Sequence, residues 1–323
     1  MPSNDFHQVI DACNKFDYSP DEMWEFCILD NSRPVGYIPH GFFNDMNWEG
    51  TSFIIHKDTK KVHLNPPLSP GEDKVEVCKQ QFVKLCENNQ SAFNGILKDW
   101  LANPICFSGI RWLDTPGELF AIPSPLRGIL GVATAGVHLN VFTVVDGRPS
   151  MWVAVRSESA TYPCMMDQIV AGGMDPADGY DEWKTLQREA KEEASLILDI
   201  KSRKVTTAAG VEVGTVQGPS RITLYDKKDE HVGLEVGHVE PGVRFVFDLD
   251  VAPEFRPKRG KDKAVGDFDL KSVDEVKEDL LARKWKPNSG LTTLDSLVRK
   301  GYVEDDAGDL RARLKTALPM ATE

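Results

Sequence analysis

The stretch that most restricts how this chain can fold runs from Ile169 to Leu196. A short apolar strand, Ile169-Val170-Ala171, runs into Gly172-Gly173. A loop punctuated by Pro176 and Gly179 follows, and residues from Asp181 to Leu196 have helical spacing. Late in that helix stands Arg188-Glu189-Ala190-Lys191-Glu192-Glu193. Residues three and four apart share one side of a helix, so Glu189, Glu192 and Glu193 project together. Three like charges repel one another there. A hard divalent cation removes that cost, and carboxylate oxygens suit Mg2+ or Mn2+. A solvated amphipathic face, with Lys184 and Lys191 nearby, would carry the same residues, so the carboxylates do not decide by themselves.

The surroundings of this helix set the fold class. Apolar, β-branched runs at Val137 to Val145 and Met151 to Val155 flank Asp146-Gly147-Arg148-Pro149, a hairpin signature. Further strands are expected at Val211 to Val216, Arg221 to Tyr225 and Val243 to Leu249, with helices at Val273 to Arg283 and Leu291 to Lys300. Strands, helix, strands, then helix predict a mixed sheet between helices. Residues 1 to about 105 mix the signals. Phe6 to Phe16, Lys74 to Cys86 and Ser91 to Leu101 have helical spacing, Trp24 to Leu29 and Leu119 to Ile122 read as strands, and Val35 to Gly41 as a strand entering a turn. The expectation is an α+β chain with an N-terminal α+β domain over 1–128 and an α/β/α sandwich with C-terminal helices over 129–323.

Charge and composition exclude several classes of function. The net charge is −12, which repels nucleic-acid backbones. The one basic cluster, Arg256, Lys258, Arg259, Lys261 and Lys263, reads as a solvated loop, with a phosphate-gripping lid as the alternative. No apolar run approaches a membrane span and the N-terminus has no signal pattern, so neither membrane nor nucleic acid is an expected partner. The six cysteines form no C-x-x-C pair and no zinc spacing, consistent with reduced thiols and a cytosolic protein. The oligomeric state is not legible.

Gly173 and Arg188-Glu189-Ala190-x-Glu192-Glu193 resemble the Nudix box, G-x5-E-x7-R-E-U-x-E-E-x-G-U, where U is apolar. The loop here is one residue longer. The first glutamate of the box falls on Gly179 or Tyr180 and is absent, with Asp181 or Glu182 as possible substitutes, and the late glycine is Ser195. Gly136 to Asn140, Trp152 to Arg156, Val170 to Gly173 and Glu192 to Leu196 resemble one Nudix branch, the thiamine pyrophosphokinase-related group of fungi and plants. Gly109-Ile110-Arg111-Trp112, Glu118-Leu119-Phe120 and Lys286-Pro287-Asn288-Ser289 with Leu294-Asp295 extend the likeness over roughly residues 20 to 302.

That resemblance implies hydrolysis of a diphosphate link in a small molecule, a thiamine diphosphate-like compound or a nucleoside diphosphate derivative. Mg2+ or Mn2+ would be held by Glu189, Glu192, Glu193 and the Gly173 carbonyl, with Arg188 orienting Glu189. Arg156, Tyr162, His138 and Tyr180 are candidate substrate contacts. A strand-end surface role for Arg156 and a structural role for His138 stand beside that reading. Trp183 offers either a stacking surface or core packing. Two departures favour an alternative. The family's glutamates in the segment before Phe268 are replaced by Ala264 and Gly266, and its lysines after position 156 by Ser157-Glu158-Ser159-Ala160. A repurposed enzyme would then use the metal as a Lewis acid for isomerisation, cyclisation or cleavage of a less charged substrate, and nucleoside diphosphate derivatives would be turned over weakly.

Overall fold

A computed structural model describes residues 6–15, 19, 22–31, 33–104, 106–110, 120–305 and 308–315. Arg111, Trp112, Glu118 and Leu119 of the resemblance lie outside them, as do Phe16 and both chain ends.

The larger sheet is mixed, as the element order predicts. Its strands run Leu196–Leu198, Lys204–Thr207, Glu212–Lys227, Val239–Asp250, Thr134–Val145, Arg148–Arg156 and Val265–Ser272. Val239–Asp250 and Thr134–Val145 pair in parallel at its centre, and Val170–Gly173 adds antiparallel to Thr134–Val145. The hairpin forms as expected. Asp146 and Gly147 both take positive φ (51° and 75°), the backbone of a two-residue turn whose twist matches the flanking strands.

Alternation along Thr134–Val145 sorts the two faces. Val137, Leu139 and Val141 face the helix Glu182–Ala194 and pack with its Leu186, Ala190 and Ala194. His138, Asn140 and Phe142 face the helix Pro287–Arg299, whose Leu291, Leu294 and Leu297 fill the other core. The sheet is therefore sandwiched between helices.

Residues from Trp24 to Val132 build a separate core around a four-stranded sheet ordered Gly36–Pro39, Met23–Ile28, Lys61–Leu64 and Phe53–His56. The expected turn after Pro39 is instead a short helix, His40–Asp45. Ser91 to Leu101 is not one helix, because Asn94 and Gly95 take positive φ (56° and 77°) before Ile96–Ala102 begins. The N-terminal helix His7–Ala12 crosses over. Phe6, Val9 and Ile10 are buried among the C-terminal helices. No helix among the described residues is long and apolar enough to cross a membrane, and all six cysteines are free.

Candidate active site

The helix Glu182–Ala194 starts where Asp181 accepts hydrogen bonds from the Trp183 and Lys184 amides, both at 2.9 Å. Asp181 is thus spent as a helix cap, which removes it as a substitute for the missing motif glutamate. Asp178 takes that place. Its carboxylate receives Arg188 Nη2 at 2.9 Å and Nε at 3.1 Å, and Thr185 Oγ1 at 3.1 Å. A single helical turn, Pro176–Asp178, sets it there and absorbs the extra residue of the loop. Glu182 stands in the helix's first turn, which Asp181 caps.

From that anchor the Arg188 fork reaches the rest of the site. Nη1 donates to Glu189 at 2.8 Å and to Glu192 at 3.1 Å, and Nη2 to the Gly173 carbonyl at 3.2 Å. Glu189 and Glu193 are buried, whereas the Glu192 side chain is 49% exposed. Burial pushes the Glu189 pKa up against the opposing pull of Arg188. It pushes Glu193 up further, although the Ala171 amide donates to Glu193 at 2.6 Å. Glu193 therefore turns to the strand Val170–Gly173, while Glu189 and Glu192 turn to Arg188. Among the described residues, the one set of three acidic or histidine ligand atoms within 4.8 Å of one another is Asp229, Glu230 and His231, beside Lys15 and Tyr162. Glu189 and Glu192 are arranged around a guanidinium, which supplies counter-charge to those two, while Glu193 is held by a backbone amide.

The glycine requirement falls on Gly172. A Cβ there would lie 2.0 Å from the Glu189 carboxyl group, while at Gly173 it would meet nothing within 4 Å. Gly172→Ala is expected to displace Glu189 and lower turnover about a hundredfold with an unchanged far-UV circular dichroism spectrum. Gly173→Ala is expected to be tolerated. Equal activity in the two variants would contradict this placement.

The segment 255–268 packs against the end of the same helix. Gly260 N donates to Glu193 O at 2.8 Å and Asp262 N to Glu192 O at 3.0 Å. A side chain at Gly260 would strike Glu192 O at 2.0 Å. The helix ends at Ser195 in the left-handed conformation (φ 53°) that glycine usually supplies, and Ser195 Oγ donates to Arg259 O at 3.1 Å. This bonding brings Asp262 to the carboxylates, where its charge adds to the upward shifts of both Glu189 and Glu193. The segment's basic residues consequently belong to a loop docked on this helix, a placement their spacing did not reveal. Gly266 sits in an edge-strand irregularity where a Cβ would meet Val155 O at 2.9 Å. An added glutamate at 266 has no room.

The remaining candidates are not gathered here. Arg156 is bound to Asp167 at 2.8 Å and to Thr161 O at 2.7 Å, and Asp167 also receives Ser289 Oγ and Lys286. Burial works against the Asp167 charge, but Lys286 and Arg156 hold its pKa below the usual carboxylate range. Tyr162 is buried and stacks on His231. Tyr180 donates to Phe120 O at 3.3 Å, and its ring leaves no room for a side chain at Gly109, so it joins the two cores. Trp183 packs edge-on to Phe247 beneath Arg203.

His138 lies on the opposite sheet face, 3% exposed and bonded to Gln168 at 2.7 Å. Burial lowers its pKa to about 3. Between about pH 3 and its unfolded value near 6.5 the unfolded chain binds the extra proton, so stability falls as pH falls through that window. The contribution approaches about 1.4 kcal/mol per pH unit. Urea unfolding of His138→Gln is expected to show a shallower loss between pH 6.5 and 4.5 than wild type. Parallel losses would assign the acid sensitivity elsewhere.

Two Arabidopsis thaliana proteins, the chloroplastic Nudix hydrolases 20 and 24, are 28% and 25% identical to the chain, each over 96% of it and 77% of their own length. An uncharacterized Saccharomyces cerevisiae protein is 30% identical over 94% of both chains. The chain belongs to the Nudix hydrolases. It is therefore an enzyme of the hydrolase class. No family model matches it. In this Nudix chain the box departs from its pattern at Gly179, Tyr180 and Ser195, and at each departure a neighbouring group does the local work: Asp178 for the arginine, and the Ser195 hydroxyl for the docked segment.

Proposed function

We propose that this Nudix enzyme hydrolyses a diphosphate link in a small molecule, with Mg2+ or Mn2+ at Glu189, Glu192, Glu193 and the Gly173 carbonyl. The observation that carries the proposal is the Arg188 fork, which collects Asp178, Glu189, Glu192 and Gly173 O around one positive charge. These donors fit a hard cation. Every donor is a carboxylate or carbonyl oxygen, and the Gly173 carbonyl has a second lone pair to offer. Burial of Glu189 and Glu193 makes an added cation favourable there. When bound, such a cation supplies Lewis acidity toward a phosphoryl oxygen.

The chain's own groups do the rest. Arg188, anchored by Asp178, keeps Glu189 in place. Glu193, fixed through one oxygen by the Ala171 amide, or the exposed Glu192, accepts a proton from the attacking water. Asp262 supplies an acidic group from the facing segment despite Ala264 and Gly266, which weakens the case for a repurposed, non-hydrolytic enzyme. Lys258, Arg259, Lys261 and Lys263 on that segment offer the cations that a diphosphate requires, in place of Arg156, whose charge is taken by Asp167. A cytosolic setting agrees with the six free thiols.

Asp262→Asn tests the arrangement. Removing a charge that repels Glu189 and Glu193 is expected to raise the melting temperature while lowering phosphate release at least about tenfold. Loss of both stability and activity would make Asp262 a folding residue only.

A further inference from the structure

We infer that a cavity of about 470 Å3 at the C-terminal end of the Glu182–Ala194 helix receives the organic group of the substrate, a planar and largely apolar ring attached to the diphosphate. The inference rests on the hydrolase reading above and adds the substrate's chemical class.

The cavity lies between Leu196, the turn joining Lys204–Thr207 to Glu212–Lys227, and the start of the docked segment. Ala208, Val211, Val213 and Phe255 form much of its wall. Its volume falls in the range of small-molecule sites. Val211 is 63% exposed, an apolar side chain left in water beside an apolar hollow. Polar groups are few and mostly committed. The Ser195 hydroxyl donates to Arg259 O, Glu212 pairs with Lys204 at 3.0 Å, and Arg256 is held by the Pro253 and Phe255 carbonyls over the Trp152 ring. With these groups committed and the wall largely apolar, a flat apolar ring matches the hollow better than a hydroxyl-rich group does.

The charges at the mouth and the course of the chain supply the link to the diphosphate. Lys258 and Glu254 bring the two signs of charge to the lining beside Arg256. Lys258 lines the cavity, and four residues later the same segment delivers Asp262 to the carboxylates. Four residues span at most about 14 Å even when fully extended. That bounds the separation of the two places, and we lay one ring-plus-diphosphate ligand across them with Lys258 facing its phosphates.

Calorimetry with methylenediphosphonate and its phenyl ester, which resist hydrolysis, tests the inference independently of turnover. In the full-length protein with Mg2+, the phenyl ester should bind at least about tenfold more tightly than the parent. Val211→Trp, which fills the mouth from an exposed position, should erase that advantage and leave the parent's Kd unchanged, and Val211→Ser should reduce it. Equal affinities for the two compounds, an advantage that survives Val211→Trp, or binding of neither would overturn the inference. Phenyl-dependent binding without phosphate release from any diphosphate compound in the presence of Mg2+ or Mn2+ would uphold the cavity and defeat the hydrolase reading.

Discussion

Glu193→Gln is expected to lower Mg2+-dependent turnover roughly a thousandfold or more, equivalent to several kcal/mol of transition-state stabilisation. The fold should remain intact and stability should hold or rise. Glu193 is buried, and its ionised form is disfavoured chiefly by desolvation, with Glu189, Asp167 and Asp262 adding repulsion. Glutamine keeps the shape and an oxygen for the Ala171 amide while removing the charge. Glu192→Gln should likewise abolish turnover, but with little effect on stability because that side chain is exposed. Circular dichroism and thermal melts would establish folding. Undiminished turnover in both variants would remove the helix carboxylates from the chemistry.

Arg188→Ala should have the larger structural effect. Its fork serves Asp178 and Glu189, whose side chains are only 11% and 10% exposed, together with the exposed Glu192. Breaking a buried ion pair from one side is strongly destabilising. Arg188 is itself 32% exposed, so solvent screening reduces the expected loss to about 2–3 kcal/mol. The loss should be greatest in EDTA and shrink in millimolar Mg2+, since a cation can then replace part of the missing charge. Arg188→Lys should fall between, because an ammonium supplies the charge without the fork. Melting temperatures with and without Mg2+ give the answer. An identical Mg2+-induced shift in wild type and Arg188→Ala would separate Arg188 from the cation site.

The carboxylate helix and the mixed sheet could be read in the sequence because each has a strong local period. Leu186, Ala190 and Ala194 repeat every four residues, and Val137, Leu139 and Val141 every two. The helices Val273–Leu281 and Pro287–Arg299 were equally legible, whereas the short helix Asp309–Lys315 was not expected. Short strands were not. Phe53–His56 and Lys61–Leu64 are four residues each, interrupted by a tight turn with Lys60 at positive φ, and too brief for a pattern to accumulate. Val211 to Val216 and Arg221 to Tyr225 read as two strands but are one, Glu212–Lys227, with a register shift near Gly218. The strand Val265–Ser272 was hidden by the polar residues of a sheet edge.

Around the site, the limits have the same origin. Asp178 was passed over because counting along the motif lands on Gly179 or Tyr180, and the helical turn that shifts the register is invisible to counting. Asp262 was overlooked because side chains at 264 and 266 were compared, whereas the segment docks through backbone bonds from Gly260 and Asp262. Arg156 and His138 looked available because their partners lie elsewhere in the chain, Asp167 for one and Gln168, tied to Ser289 and Thr293, for the other.

The most direct measurement is phosphate release from a panel of diphosphate compounds, including ADP-ribose, nucleoside diphosphate sugars, thiamine diphosphate and phenyl diphosphate. Each would be run with Mg2+, with Mn2+ and with EDTA, using wild type and Glu193→Gln. The account predicts release from at least one compound with either cation, none with EDTA, and none above background with Glu193→Gln. Release that persists in EDTA, or that Glu193→Gln sustains at the wild-type rate, would contradict it.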